Sequence, residues 1–129
     1  MRKINIPIFE IGEEYCLHEF DLIPIKEYLA NNNLAYYIYR YRKIRKYKIY
    51  FFYNCDILSA VMIFVTLNDV KRFEFLYKNI IDSFQHKIKG EDGVLYVKEK
   101  TSELINKDFF SEVWVKQRVN ISRKQIEKQ

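Results

Sequence analysis

Aromatic and cationic side chains alternate along residues 36–53, with little else between them. Residues of these types are typical of a twisted β-hairpin, so we expect strands over residues 34–44 and 47–53. Arg45 and Lys46, where the two strands would join, do not favour a positive φ, which argues for a loop longer than a two-residue type I′ turn. The segment therefore predicts antiparallel β-structure in the middle of the chain.

The segments on either side of this hairpin extend the predicted sheet. Residues 57–67 carry no charge and are rich in β-branched side chains, which indicates a central strand buried on both faces. Residues 94–97 follow a turn bracketed by glycines and predict a further strand. Near the start of the chain, isoleucines alternate over residues 4–8 around a proline, as in an edge strand, and residues 15–17 predict a short extended stretch.

Helices are expected between these strands. Apolar residues recur at spacings of three and four over residues 68–88, which predicts one long amphipathic helix whose first residues can cap it. Shorter helices are predicted over residues 21–30 and 101–110 from their capping and stop residues. Valines that alternate with polar residues predict a last strand over residues 113–119.

A chain of 129 residues is the size of one domain. We therefore expect a single α+β domain over residues 1–120, followed by a polar tail over residues 121–129. The sheet is expected to be mixed and mostly antiparallel, with one long and two short helices in the order β-α-β-β-β-α-β-α-β.

This order of elements resembles that of the GCN5-related N-acetyltransferases over most of the chain, and a ferredoxin-like arrangement is the alternative. The resemblance implies that the pyrophosphate of acetyl-CoA would lie on an Arg/Gln-x-x-Gly-x-Gly/Ala turn between the central strand and the long helix. Residues 68–75 read Asn-Asp-Val-Lys-Arg-Phe-Glu-Phe at that place, with no glycine. Because side chains there would hold the backbone amides away from a phosphate, we expect no bound cofactor and, at most, a degenerate acyltransferase.

Charge is distributed unevenly along the chain. The formal net charge is +5, yet acids outnumber bases over residues 1–34. Either this acidic third lies against the basic hairpin and neutralises it, or a basic face stays open to a polyanion. The excess of Ile, Lys, Tyr and Asn, whose codons are rich in A and T, is typical of A/T-rich genomes such as those of viruses and plasmids.

The two cysteines and the apolar segment bear on location. Cys16 and Cys55 have no signal peptide before them, so we expect buried thiols in a reducing, cytoplasmic compartment. Residues 49–67 are apolar and follow a cluster of positive charge, as a membrane span would. Polar residues within that stretch, Asp56 among them, argue against insertion, so we expect no membrane association.

No pattern in the chain predicts a catalytic centre or a metal site. The residue types of a zinc site are present, but their spacing matches no compact motif, and the same holds for a nucleophilic cysteine–histidine pair; the residues are Cys16, His18, Cys55 and His86. Asp56 together with Asp69 and Lys71 is a loose match to the carboxylate–lysine pattern of metal-dependent nucleases. Asp69 is better explained as a helix cap, which argues against a nuclease. We expect a protein that acts by binding rather than by catalysis.

The hairpin is the predicted binding surface, with DNA or RNA as the first partner. If its strands pair without a bulge, one face carries Tyr37, Tyr39, Tyr41, Tyr50, Phe52, Lys43 and Lys48, and the other carries Arg40, Arg42, Ile38, Ile49 and Phe51. We expect phosphates to be held by Arg40, Arg42, Lys43, Arg45, Lys46 and Lys48, and bases to stack on Tyr37, Tyr39 and Tyr41. The alternative is a protein–protein module, either a homodimer or an inhibitor of a host protein.

Overall fold

A computed structural model describes residues 5–7, 9–30, 34–44 and 46–100, which form one six-stranded antiparallel sheet. Its strands are β1 (Leu22–Ala30), β2 (Leu34–Tyr41), β3 (Lys48–Asn54), β4 (Ile57–Thr66), β5 (His86–Lys89) and β6 (Gly93–Glu99), with helices α1 (Val70–Leu76) and α2 (Lys78–Ile81). The order across the sheet is β1-β2-β3-β4-β6-β5. Short 3₁₀ turns lie at Tyr15–Leu17, Glu19–Asp21 and Leu67–Asp69. The α+β class is confirmed, although the structure is mostly sheet.

Four of the predicted strands are confirmed, namely those that correspond to β2, β3, β4 and β6. The strand predicted over residues 57–67 is central, because β4 lies between β3 and β6 and most of its side chains are buried. The connection between β2 and β3 covers residues 42–47, so the expected longer loop is also confirmed. The expectation of a mixed sheet is wrong for the described strands, since every pair of them is antiparallel.

The short helix predicted at residues 21–30 is wrong, because this segment is the edge strand β1. Its backbone pairs with β2 from Leu22 opposite Tyr41 to Ala30 opposite Leu34, with an irregularity after Pro24. A short isolated helix is only marginally stable, whereas a neighbouring strand offers the same backbone groups a full ladder of hydrogen bonds. Pro24 fits such an edge position, since it has no N–H to donate.

The long helix predicted over residues 68–88 is wrong in its second half. The helical segment breaks at Tyr77, where φ is −120° and ψ is 30°, and α2 ends at Ile81. The Gln85 side chain then exchanges two hydrogen bonds with the backbone of Glu99, at 2.9 and 3.0 Å, where β5 begins beside β6. Ile88 fits both the helical spacing of residues 68–88 and the alternation of β5. The helical pattern in the sequence therefore continues by chance into a segment that is a strand.

Other expectations fall at the ends of the chain. Residues 5–7 of the predicted edge strand lie outside the sheet, and residues 15–17 form a 3₁₀ turn instead of an extended stretch. The helix at 101–110, the strand at 113–119, the domain end at 120 and the tail lie outside the described residues. Within the described ranges, no helix combines the length and apolar character needed to cross a bilayer.

Both faces of the sheet are buried at its centre. On the first face, Phe73 and Tyr77 of the helical segment and Phe9 of the N-terminal segment join the largest core cluster, which contains Phe51 and Tyr96 of the sheet. The second face carries a smaller cluster that consists of Ile38, Tyr50, Phe52, Ala60, Met62, Leu95 and Val97. Side chains from β3, β4 and β6 belong to both clusters, so these strands form the buried centre of the sheet.

Candidate functional site

A cleft of about 570 Å³ lies where β2 leaves the sheet and enters the loop of residues 42–47. We call it the basic cleft. Three of its lining residues are cations and the other three are apolar or aromatic: Arg40, Arg42, Lys43, Ile23, Tyr41 and Ile44. A concave site that combines apolar walls with several convergent charges has the general character of a ligand site.

Strand pairing brings Arg40 into this cleft. Arg40 lies opposite Ile23 of β1 on one side and opposite Tyr50 of β3 on the other. Lys48 is two residues from Tyr50 along β3, so Arg40 and Lys48 share the second face of the sheet. Sequence reasoning misses Ile23, because it predicts a helix over residues 21–30; an assignment of this segment to a strand beside β2 would find it.

The loop positions the remaining cations through contacts with the N-terminal segment. The backbone N–H of Arg42 donates a hydrogen bond to the carbonyl of Asp21 at 2.9 Å. The Lys43 ammonium lies 3.3 Å from the carboxylate of the same residue. Ile44 and Tyr47 are buried and anchor the loop on the core. The loop is therefore held at both ends while Arg42 and Lys43 remain exposed.

Arg40 at the basic cleft and Lys48 beside it repel each other. Partial burial lowers the pKa of Lys48, and the neighbouring charge of Arg40 lowers it further. Arg40, Arg42 and Lys48 form no ion pair with any side chain that the structure describes. An anion placed in the cleft would relieve this repulsion, so the geometry favours a negatively charged ligand.

The predicted grouping of hairpin side chains on the two faces is wrong, because the observed register between β2 and β3 differs from the predicted one by one residue. Tyr37 lies opposite Tyr53 and Tyr39 opposite Phe51, so Tyr37, Tyr39 and Tyr41 share the first face with Phe51 and Tyr53. Arg40 consequently shares a face with Lys48 and Tyr50, from which the sequence prediction separates it. The register depends on how many residues the connecting loop takes up, and a shift of one residue moves every side chain to the other face.

Burial differs among the three tyrosines predicted to stack on bases. Tyr41 is only 4% exposed, and its ring centroid lies 5.3 Å from that of Phe9. Tyr39 is half-buried, with its ring 5.1 Å from that of Tyr15. Tyr37 is 46% exposed. A base can therefore reach a ring face most easily at Tyr37, which lies several residues along β2 from the basic cleft.

The last two predicted phosphate ligands lie in the loop. Lys46 is exposed, and its ammonium lies 5.8 Å from the ring centroid of Tyr47. This distance is within the range of a cation–π contact. Arg45 lies outside the described residues. The structure thus brings together Arg40, Arg42 and Lys43 in one cleft, with Lys48 beside it.

The opposite end of β3 carries the two cysteines. Cys16 and Cys55 are free and exposed, so the expectation of buried thiols is wrong. Cys16 lies in a 3₁₀ turn and Cys55 in the turn between β3 and β4, so neither side chain points into a face of the sheet. Both line a second cleft of about 330 Å³, which we call the thiol cleft, with Glu14, Tyr15, Asp56 and Ile57.

The other patterns considered for chemistry are not assembled. In the part of the chain that the structure describes, no three metal-binding side chains of His, Cys, Asp or Glu come together. Asp56 and Asp69 flank opposite ends of β4, whose length keeps them roughly 30 Å apart at about 3.3 Å per residue. Asp69 makes no side-chain capping bond and instead accepts a hydrogen bond from the Thr66 hydroxyl at 3.0 Å.

No family model, curated protein or solved structure matches the chain. A functional site is therefore inferred from the geometry and charge of the basic cleft alone.

Proposed function

We propose that the protein binds nucleic acid through the basic cleft. The observation that supports this most directly is the convergence of Arg40, Arg42 and Lys43 on one cleft. Cations that converge on a concave site attract a chain of phosphates, and low-dielectric walls such as Ile23 and Ile44 strengthen the field inside it. The cysteines predict a cytoplasmic compartment, and the composition predicts a viral or plasmid origin. Both remain predictions.

The character of the cleft favours contacts with the backbone of the nucleic acid. Arginine and lysine bind phosphate irrespective of the base attached to it. Tyr41 is buried in the cleft wall, and Tyr37 is the most exposed hairpin tyrosine with a described side chain, so stacking contributes little at the cleft itself. We therefore expect binding that depends strongly on salt and weakly on sequence, to DNA and RNA alike.

The binding experiment compares two variants with the same change in net charge. The test variant carries Arg40→Gln, Arg42→Gln and Lys43→Gln. The control carries Lys71→Gln, Lys78→Gln and Lys89→Gln, three exposed lysines of α1, α2 and β5. Fluorescence anisotropy of labelled single-stranded DNA, duplex DNA and RNA at low salt should show about a 10- to 100-fold weaker affinity for the test variant only. No binding of any of the three by wild type would contradict the proposal.

A second candidate function is supported by exposed apolar side chains. Leu17 is 64% exposed and Phe20 is 81% exposed, and the two lie three residues apart on the 3₁₀ turns before β1. Exposed large apolar side chains in proximity are typical of protein–protein interfaces. Light scattering at high protein concentration tests the homodimer form: a dimer that Phe20→Ser abolishes and Phe75→Ser leaves intact would support it, and a monomer would exclude it.

We do not propose an acyltransferase. β4 and β6 are paired from Ala60 opposite Glu99 to Thr66 opposite Gly93, where β4 ends. A Cβ on Gly93 would lie 2.1 Å from the carbonyl oxygen of Val65, so these two strands approach each other closely at this point. The described part of the sheet therefore has no opening between β4 and β6 in which a cofactor would insert.

A further inference from the structure

The turn between β3 and β4 consists of Cys55 and Asp56 alone, because Asn54 pairs directly with Ile57. Both turn residues have positive φ, 51° and 62°, as a type I′ turn requires. Such a turn projects beyond the sheet, and both of its side chains are exposed. The sulfur of Cys55 is therefore accessible to small molecules.

The N-terminal segment is hydrogen-bonded along the same turn. Leu58 donates its N–H to the carbonyl of Glu13 at 2.8 Å, and Tyr15 donates to the carbonyl of Asp56 at 2.7 Å. These bonds flank an antiparallel bridge between Glu14 and Ile57. Cys16 directly follows Tyr15 and Cys55 directly precedes Asp56, so each cysteine lies one residue from the Tyr15–Asp56 hydrogen bond.

The two thiols also share one surface. Cys16 and Cys55 both line the thiol cleft and both are exposed. A disulfide needs Cα atoms about 4.4 to 6.8 Å apart. Because both cysteines line one cleft and each adjoins the Tyr15–Asp56 hydrogen bond, a local adjustment of the 3₁₀ turn and of the β3–β4 turn can bring the two sulfurs together.

We propose that Cys16 and Cys55 form a reversible intramolecular disulfide when the protein meets a small-molecule disulfide. One cysteine thiolate attacks the S–S bond of the oxidant and releases the first small thiolate, which leaves a mixed disulfide on the protein. The second cysteine then attacks the protein-bound sulfur, forms the Cys16–Cys55 bond and releases the second small thiolate. The two cysteines lose two protons and two electrons, and the small disulfide takes them up to become two thiols.

The surroundings indicate which thiol reacts first. The Sγ of Cys16 lies 3.6 Å from the Glu14 carboxylate. Partial desolvation, followed by the hydrogen bond and the charge of Glu14, raises the pKa of the Cys16 thiol. Because the thiolate is the attacking species, we expect Cys55 to open the oxidant and Cys16 to resolve the mixed disulfide. The bond would fasten the N-terminal segment to the β3–β4 turn independently of the basic cleft.

The test treats reduced protein with glutathione disulfide and follows intact mass and peptide maps. We expect wild type to lose the mass of two hydrogen atoms and to yield a peptide that links Cys16 to Cys55. Cys16→Ser and Cys55→Ser should each add one glutathione and form no internal link. The melting temperature of wild type should rise by several degrees on oxidation, because the bond closes a long loop, and that of either variant should not. Stable glutathione adducts on both cysteines of wild type, or a link between two chains instead of within one, would overturn the proposal.

Discussion

The two ends of strand β3 differ in charge, loop length and chemistry. At its start, the loop of residues 42–47 borders the basic cleft, with Arg40 and Lys48 on the sheet beside it. At its end, a two-residue turn meets Glu13 and Glu14 of the N-terminal segment and forms the thiol cleft. Seven residues of strand separate the two ends by roughly 20 Å, more than a Debye length at physiological salt.

This separation bears on the two alternatives that the charge distribution leaves open. Asp21 of the acidic third does reach the hairpin, through its ion pair with Lys43. Glu13 and Glu14 instead lie at the far end, beside the β3–β4 turn. These three acids are thus divided between the two ends of the hairpin. The basic cleft keeps a positive character because only part of the acidic segment lies near it.

The largest expected effect is on the free energy of unfolding, through the core packing of β3, the strand that connects the basic cleft to the thiol cleft. Phe51 is fully buried in the middle of the strand, with its ring centroid 4.5 Å from that of Phe9. Phe51→Ala should reduce the free energy of unfolding by about 3 to 5 kcal/mol, because it leaves a cavity in the main core cluster. Urea denaturation measures the reduction. Phe75→Ala, at a side chain that is 83% exposed, should change it by under about 0.5 kcal/mol; similar reductions for both variants would contradict the packing described.

The next largest effect distinguishes the two-residue turn between β3 and β4 from the longer loop of residues 42–47. Asp56 holds φ at 62°, a conformation that costs a non-glycine residue about 1 to 2 kcal/mol. Asp56→Gly should relieve most of that strain and raise the free energy of unfolding by about 1 kcal/mol in urea denaturation. Lys46→Gly in the longer loop offers no such relief and should not stabilise the protein. Destabilisation by Asp56→Gly would show that the Asp56 side chain makes a favourable contact which outweighs the strain.

A smaller effect is expected from a buried hydroxyl near the thiol cleft. The hydroxyl of Tyr53 is buried and has no hydrogen-bond partner among the residues that the structure describes, and burial raises its pKa. Tyr53→Phe should therefore leave stability unchanged or raise it by up to about 1 kcal/mol, because it removes an unsatisfied polar group. Tyr96→Phe provides the control, since the Tyr96 hydroxyl donates to Glu74 at 2.7 Å and its removal should destabilise. Thermal denaturation measures the stability of both variants. Equal destabilisation of the two would contradict the difference in hydrogen bonding between the Tyr53 and Tyr96 hydroxyls.

The smallest effect concerns a charge cluster on the first face, away from both clefts. Hydrogen bonds from Lys87 and Tyr96 lower the pKa of the Glu74 carboxyl below its usual value. Its contribution to stability is therefore present above the unfolded-state pKa of about 4.3 and is lost as pH falls through the lower folded-state value. Because the Lys87–Glu74 pair is partly exposed, Glu74→Gln should cost under about 1 kcal/mol at neutral pH. The free energy of unfolding, measured by urea denaturation at neutral pH and at pH 3, should depend less on pH in Glu74→Gln than in wild type. An equal dependence in both proteins would contradict a lowered pKa of Glu74.

Local sequence patterns predict the fold where they are unambiguous. β2, β3, β4 and β6 combine β-branched or aromatic residues with clear turn signals, and the sequence predicts all four. It does not predict β1 and β5, because their apolar spacing also fits a helix and only pairing with a distant segment decides between the two. Ile88 illustrates this, since it fits both the helical spacing of residues 68–88 and the alternation of β5.

The site is predictable in its residues but not in its geometry. The sequence identifies Arg40, Arg42 and Lys43 as candidate cations, and the structure places all three on one cleft. Their arrangement depends on register, which the loop length determines and the sequence does not state. The same register buries Tyr41, so a residue predicted to stack on bases belongs to the core. The exposure of both cysteines also follows from turn positions that residue type alone does not reveal.

The salt dependence of DNA binding tests the central claim most directly. The affinity for single-stranded DNA is measured over a range of salt concentrations for wild type, for the basic-cleft variant with Arg40→Gln, Arg42→Gln and Lys43→Gln, and for the matched variant with Lys71→Gln, Lys78→Gln and Lys89→Gln. We expect the logarithmic salt slope of the basic-cleft variant to become shallower by about 2, at roughly 0.7 for each phosphate that is no longer neutralised, while the matched variant keeps the wild-type slope. Equal slopes for the two variants would show that any binding follows net charge, and would contradict a site at the basic end of β3.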